Sequence, residues 1–214
     1  YDLYDRPEWV HQVLDFMLES TLNLMDQTEK LLTVANTGND YVGSGGVALT
    51  DELKNEDPLQ PITYRNCWGF SDAQELSAVS PEMFREFATA YHKPLLERFG
   101  LSSYACCECL NGKFDFLKEM IPNLRRVSVS PWTDREEAAE KLGSQYIYSW
   151  KANPAQVSHG IDPEYSLKDI RRTRELAKDC VLEMILKDNN TVEGDPTRLI
   201  KWVEIAMGEA QKGY

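Results

Sequence analysis

The chain has 214 residues, 42% of them apolar and 10% aromatic, enough to build a sizeable core in one large domain or in part of a barrel. Its net charge of −12 and pI near 4.8 repel phosphate backbones, so nucleic acid is excluded as an expected partner. No apolar run approaches the roughly 20 residues of a membrane span, no secretory signal is visible, and five cysteines, an odd number in a chain this long, point to the reducing cytoplasm.

The chain opens at Tyr1 rather than at a methionine and runs straight into a helix, so a fragment lacking upstream units is expected. Asp5, Pro7 and Glu8 form a helix start, with a capping carboxylate, a proline in the first turn and an acid at the positive helix end. Val10, Val13, Leu14, Met17, Leu18, Thr21, Leu22 and Met25 then recur at helical spacing and predict an amphipathic helix to about Leu32. Met17, Met25 and Met120 read as core. The stretch from Asn36 to Pro61, which includes Gly43-Ser44-Gly45-Gly46, is longer than most connections and is expected to be functional, mobile, or both.

A short strand is predicted from Ile62 to Trp68, followed by a helix opened by Ser80-Pro81-Glu82 and kinked or broken at Pro94. Alternation follows. Strand Ser102 to Cys107 leads to a helix near Phe114 to Met120, then to strand Arg126 to Ser130. Thr133 and Glu136 read as a capping box for a helix ending at Gly143. Strand Gln145 to Trp150, a helix from about Leu167 to Lys178 capped by Ser166, strand Cys180 to Leu186 and a last helix opening at Asp195-Pro196 complete the order. This rhythm predicts an α/β fold with a parallel sheet built from crossovers. No GxGxxG fingerprint supports a dinucleotide-binding unit. A (βα)8 TIM-barrel type fits better, represented here by its C-terminal portion with about five parallel strands.

Active sites of such barrels lie at the C-terminal strand ends. Those ends hold Trp68 with Asp72, the run Cys106-Cys107-Glu108-Cys109, Ser130 with Trp132, Lys151 with Asn153, and Lys187 with Asp188. A thiolate is both a nucleophile and a soft metal ligand. Strand alternation places Cys106 with Glu108 on one face and Cys107 with Cys109 on the other. Cys106 and Cys107 are candidate zinc ligands, with Glu183, Asp188 or Cys180 completing the set; buried small hydrophobes are the plain alternative. Lys151 and Lys187 could hold the carboxylates of an anionic substrate, or pair with nearby acids on a solvated rim. Glu108 and Asp188 are candidate acid–base groups, while Trp68, Asp72, Trp132 and Asn153 are candidate substrate contacts. Trp68, Trp132 and Trp150 form an aromatic wall or simply pack. His11, His92 and His159 do not look catalytic; His11 and His92 are expected at the outer layer.

The runs Tyr1 to Trp9, Val79 to Phe84, Ser128-Val129-Ser130-Pro131-Trp132, Ser149-Trp150-Lys151-Ala152-Asn153-Pro154 and Ile185-Leu186-Lys187-Asp188 resemble the C-terminal part of the uroporphyrinogen decarboxylase superfamily. The resemblance spans nearly the whole chain, 1–214, and implies a (βα)8 barrel with a cleft at the C-terminal strand ends. One branch, the true decarboxylases, uses no metal or cofactor and places a Gly-His pair where Lys187-Asp188 stands here. The other branch comprises cobalamin-dependent methyltransferases, which move methyl groups between a corrinoid protein and a thiol and bind zinc through a His-x-Cys pair and a later cysteine. Cys106 or Cys107 matches the cysteine of that pair, Tyr104 or Ala105 stands at the histidine, and Asp188 or Asn189 at the later cysteine. The resemblance thus implies an enzyme of methyl transfer with zinc and a corrinoid protein partner. A metal-free decarboxylase of a polycarboxylated, tetrapyrrole-like substrate and a non-catalytic corrinoid- or tetrapyrrole-binding module stand beside it. Open strand edges imply a co-purifying N-terminal half or a homo-oligomer.

Overall fold

The computed structural model of the chain describes residues 1–31, 41–53, 57 and 59–212. Its centre is a five-stranded parallel sheet whose strands follow one another in sequence order. They are β3 (Trp68–Ser71), β4 (Leu101–Tyr104), β5 (Leu124–Val129), β6 (Ile147–Ala152) and β7 (Val181–Leu186). Two short strands, β1 (Tyr41–Val42) and β2 (Gly46–Val47), pair antiparallel in a separate hairpin.

Strand alternation divides the sheet into two unlike faces. On one face Tyr104, Val127, Val129, Tyr148, Trp150 and Ala152 are buried, with Leu182, Met184 and Leu186 packed against them. Helices α5 (Phe114–Met120), α6 (Arg135–Leu142), α8 (Pro163–Leu176) and α9 (Thr197–Ala210) cover that face through Phe114, Leu117, Ala138, Leu142, Ile170, Trp202 and Ala206, and the single turn α7 (Ala155–Ser158) links β6 to α8. The opposite face carries Ser103, Arg126, Ser128, Ser149 and Lys151, all buried, together with Glu183. A parallel sheet must be covered on both faces, and the β1–β2 hairpin lies against the polar one. Ser44 Oγ stands 3.3 Å from Ser128 Oγ, and the Val47 amide donates to Glu183 Oε1 over 2.9 Å. The hairpin fits because it is glycine-rich: a Cβ on Gly43 would strike the Phe70 ring and one on Gly46 the Arg126 guanidinium.

At the N-terminus a short turn of helix, α1 (Asp2–Asp5), precedes α2 (Pro7–Lys30), whose N-cap Arg6 makes no side-chain capping bond; Asp5 therefore does not cap it. The end expected near Leu32 lies outside the described residues, as do 36–40 and parts of 54–58 in the expected long connection. Met25 is buried, whereas Met17 is exposed and does not join the core. The helix after Ser80 runs as α3 (Pro81–Phe84), a π-helical turn at Arg85–Thr89 and α4 (Ala90–Leu96). Pro94 is accommodated inside α4 rather than ending it, and the wide turn closes at Ala90, four residues upstream, where the proline ring would otherwise crowd the carbonyl.

Three expected element starts are displaced by local polar bonds. Tyr64–Asn66 is a 3₁₀ turn, because Thr63 and Asn66 cap each other, so β3 begins at Trp68 instead of ending there. Helix α6 is capped by Asp134, whose Oδ1 accepts from the amides of Glu136 and Glu137; Thr133 Oγ1 instead accepts from the Leu110 amide. Helix α8 starts four residues earlier than Leu167, capped by Asp162, and Ser166 is buried within it. No helix among the described residues is long and apolar enough to cross a membrane.

Candidate functional site

β4 ends at Tyr104, and Ala105 follows in the left-handed region at φ +73°. The strand therefore stops before the cysteines, and the face-by-face alternation expected for residues 106–109 does not apply. The turn brings Cys106 and Cys107 to one side, with their sulfurs 3.5 Å apart. Glu108 turns inward, fully buried, and its two oxygens accept from the amides of Ala73 (2.9 Å) and Cys106 (2.7 Å). Burial pushes its carboxyl above the usual carboxylate range, against the pull of those amides. With both oxygens engaged, it holds the turn. Cys109 stands apart: its amide donates to Ser77 Oγ and its carbonyl accepts from the buried Lys113.

From the end of β7 the Lys187 side chain reaches across to the cysteines. Nζ donates to Cys106 Sγ over 2.7 Å and to Cys107 Sγ over 3.1 Å, and stands 3.5 Å from Ser44 Oγ of the hairpin. Asp188, left-handed at φ +60°, places Oδ2 3.1 Å from Cys107 Sγ and 3.3 Å from Lys187 Nζ. In a flat sheet β4 and β7 would lie about 14 Å apart, at about 4.8 Å per strand, so these contacts require the sheet to curl toward its polar face. Burial pushes the Cys107 thiol up to about 12; its bond to the Asp188 carboxylate adds to the rise and Lys187 opposes it. Burial works against the Lys187 ammonium, but the two thiols outweigh it and hold the amine above its ordinary value.

Deeper on the same face Lys151, 1% exposed, donates to Ser149 Oγ over 2.7 Å. Burial lowers its amine to about 7, with Lys187 and Arg126 adding to the fall and Glu183 resisting it. Glu183 does not join the thiols. It pairs with Arg126, whose Nε lies 3.1 Å from Oε2, and also accepts from Ser149 Oγ and the Val47 amide. Arg126 further donates to the Val47 carbonyl and lies over the Trp68 ring at 5.3 Å. Arg126 and Ser44 were not among the sequence candidates. Only the Arg-Ser alternation of β5 against its valines marks Arg126 as a residue of the polar face.

The other candidates are dispersed. Trp68 starts β3, at the opposite end from the cysteines, with its indole nitrogen donating to the Ala48 carbonyl over 3.0 Å. Asp72 follows β3 and accepts from Gln74. Trp132 is 66% exposed and Trp150 sits in the core on the helix side, so the three tryptophans form no wall. Asn153 Oδ1 accepts from the Ala155 amide, and the residue lines an open cleft of about 490 Å³ with Gln156, His159, Asp162 and Tyr165. His92 is not at the outer layer: Nδ1 meets the buried Tyr104 hydroxyl at 3.0 Å, and burial lowers its pKa. His11 meets Tyr91 and Glu86, and His159 meets Glu193.

A zinc ion is not suited to this arrangement. An ammonium already bridges the two sulfurs, Glu183 is committed to Arg126, and among the described residues no group of three or more His, Cys, Asp or Glu side chains is arranged so that it could hold a metal ion. The residues instead make a thiol pair with a fixed cation on one side and a carboxylate on the other. No protein-family model, curated protein or solved structure matches the chain.

Proposed function

We propose that the chain is a uroporphyrinogen decarboxylase-like transferase of the cytoplasm, its sheet part of a (βα) barrel, in which Cys106 is a thiol nucleophile. The Cys106 sulfur bonds to an electrophilic carbon while the leaving group of a small-molecule donor, or the cobalt of a corrinoid protein partner, departs with the bonding pair; an acceptor nucleophile then takes the carbon and releases the Cys106 thiolate. A methyl group is the case that the sequence resemblance favours. The observation that carries the reading is the 2.7 Å bond from Lys187 Nζ to Cys106 Sγ. An ammonium at that distance steadies negative charge on sulfur, the form in which a thiol attacks. No metal is needed for that step, since Lys187 supplies the positive charge.

The test is the rate of alkylation of Cys106 in the reduced protein by methyl iodide or iodoacetamide at pH 7, located by peptide mass. Lys187→Met is expected to slow it by about tenfold or more. An unchanged rate in a folded variant overturns the reading. A second reading, metal-free decarboxylation of a polycarboxylate, is favoured by the row of Arg126, Lys151 and Lys187 on one face. It requires the hairpin to leave that face, because Lys151 is 1% exposed. Under that reading, a titration with a polycarboxylate weakens in both Lys151→Ala and Lys187→Ala.

A further inference from the structure

We propose that Cys106 and Cys107 are a redox-active vicinal dithiol that exchanges with small-molecule disulfides. The inference rests on the reading of Cys106 as the nucleophile and adds a regulation of that site: closing the pair removes the nucleophile. Adjacent cysteines on a strand would point to opposite faces. Here the left-handed Ala105 ends the strand, and both sulfurs meet at 3.5 Å on one side. Their surroundings differ. Lys187 Nζ stands closer to Cys106 Sγ, at 2.7 Å, than to Cys107 Sγ, at 3.1 Å, and Cys107 also has Asp188 Oδ2 3.1 Å away as an acceptor for its proton. Both cysteines are partly exposed. Cys67 and Cys180, by contrast, direct their thiols at the carbonyls of Thr63 and Ala139. Left-handed non-glycine residues flank the pair on both chain segments, Ala105 and Asp188, and such backbone persists at sites where it serves a purpose.

The exchange runs in two steps. The Cys106 thiolate attacks one sulfur of a disulfide RSSR; a bond forms between Cys106 and SR, the S–S bond breaks, and RS⁻ leaves. The Cys107 thiol then passes its proton to Asp188, and its sulfur attacks Cys106 Sγ. The Cys106–Cys107 disulfide forms and the second RS⁻ leaves, both thiolates taking up protons from protein and solvent. Two protein thiols are oxidised and one small disulfide is reduced to two thiols.

The probe is glutathione disulfide, added to the reduced chain at pH 7 and removed by acid quench. Thiols counted in denaturant are expected to fall from five to three. The peptide holding both cysteines is expected to lose two hydrogens. Cys107→Ser should trap one glutathionyl adduct on Cys106, and Cys106→Ser should form neither adduct nor ring at a comparable rate. Asp188→Asn should lengthen the life of the mixed disulfide by about tenfold. A wild-type chain that keeps five thiols, or that holds glutathione without closing the ring, overturns the inference. Failure of the underlying reading shows separately, as an unchanged alkylation rate of Cys106 in reduced Lys187→Met.

Discussion

Glu183→Ala removes a carboxylate that three strands and the hairpin share. Arg126, 2% exposed, loses its counter-ion, while Ser149 Oγ and the Val47 amide lose their acceptor. Breaking a buried ion pair from one side costs about 3–5 kcal/mol, because the remaining charge stays desolvated. The Val47 amide can turn to water, so its loss adds at most about 1 kcal/mol. The three losses share one carboxylate and do not sum, which sets the expected cost at about 4 kcal/mol. That is a large share of a domain stability of about 5–15 kcal/mol. At about 1.4 kcal/mol per decade, it raises the unfolded fraction by roughly three decades. Urea unfolding followed by tryptophan fluorescence reads it directly, since Trp68 lies against Arg126. The double variant Arg126→Met/Glu183→Leu serves as control and should lie within about 1 kcal/mol of wild type, because no charge is left stranded. A Glu183→Ala chain within about 1 kcal/mol of wild type would refute the account of the polar face.

Lys151 gives a pH signature. Its folded pKa of about 7 lies below the unfolded value of 10.5, so between those values the unfolded chain binds the extra proton and stability rises with pH. The penalty is full below pH 7, and at about 1.4 kcal/mol per unit its relief adds about 2–3 kcal/mol by pH 9. Above pH 9 Cys107, raised from 9.0 to about 12, works the other way. Lys151→Met should flatten the curve between pH 7 and 9, and an unchanged slope in urea melts counts against a desolvated amine. Gly46→Ala drives a Cβ into the Arg126 guanidinium and is expected to cost about 1–3 kcal/mol. Gly45→Ala, at φ +78° with Ile185 no closer than 3.4 Å, costs about 1–2 kcal/mol through backbone conformation alone. Thermal melts that left Gly46→Ala unchanged would place the hairpin away from Arg126.

Element order and fold class were legible because β5 alternates from Arg126 and β6 from Tyr148, β7 is an apolar run broken by Glu183, and α5, α6, α8 and α9 lie between or after them. Boundaries were less so, because side chains compete for backbone groups. Asp134 and Asp162 displace Thr133 and Ser166 as caps, and the Thr63–Asn66 pair diverts Tyr64–Asn66 from strand to 3₁₀ turn. At the site, the meeting of Cys106, Cys107, Lys187 and Asp188 follows from reading strand ends. Glu108 looked like a reactive carboxylate because its amide partners, Ala73 and Cys106, are contacts of a turn rather than of a pattern. Arg126 escaped notice for the opposite reason. An arginine inside a strand reads as an exposed edge until the covering segment, 43–48, is placed over it.

That covering segment explains why the polar face and the thiol site belong together. Serines, Arg126, Lys151 and Glu183 make a poor core: each buried charge costs solvation, and an apolar face of equal volume would be as stable or more so. The same row of groups fixes electrostatics at the rim, where Lys151 and Arg126 share one acid, Glu183, and Lys187 has Asp188 beside it. Lys151 yields its proton near neutrality, so Lys187 is left as the fixed cation beside the sulfurs. Stability given up in the interior thus becomes positive charge placed where the thiols meet solvent, an exchange of packing for chemistry that is expected at a working site. Ser44 connects the two levels, touching Ser128 below and Lys187 above. The position of the hairpin therefore bears on both the buried row and the reactive pair.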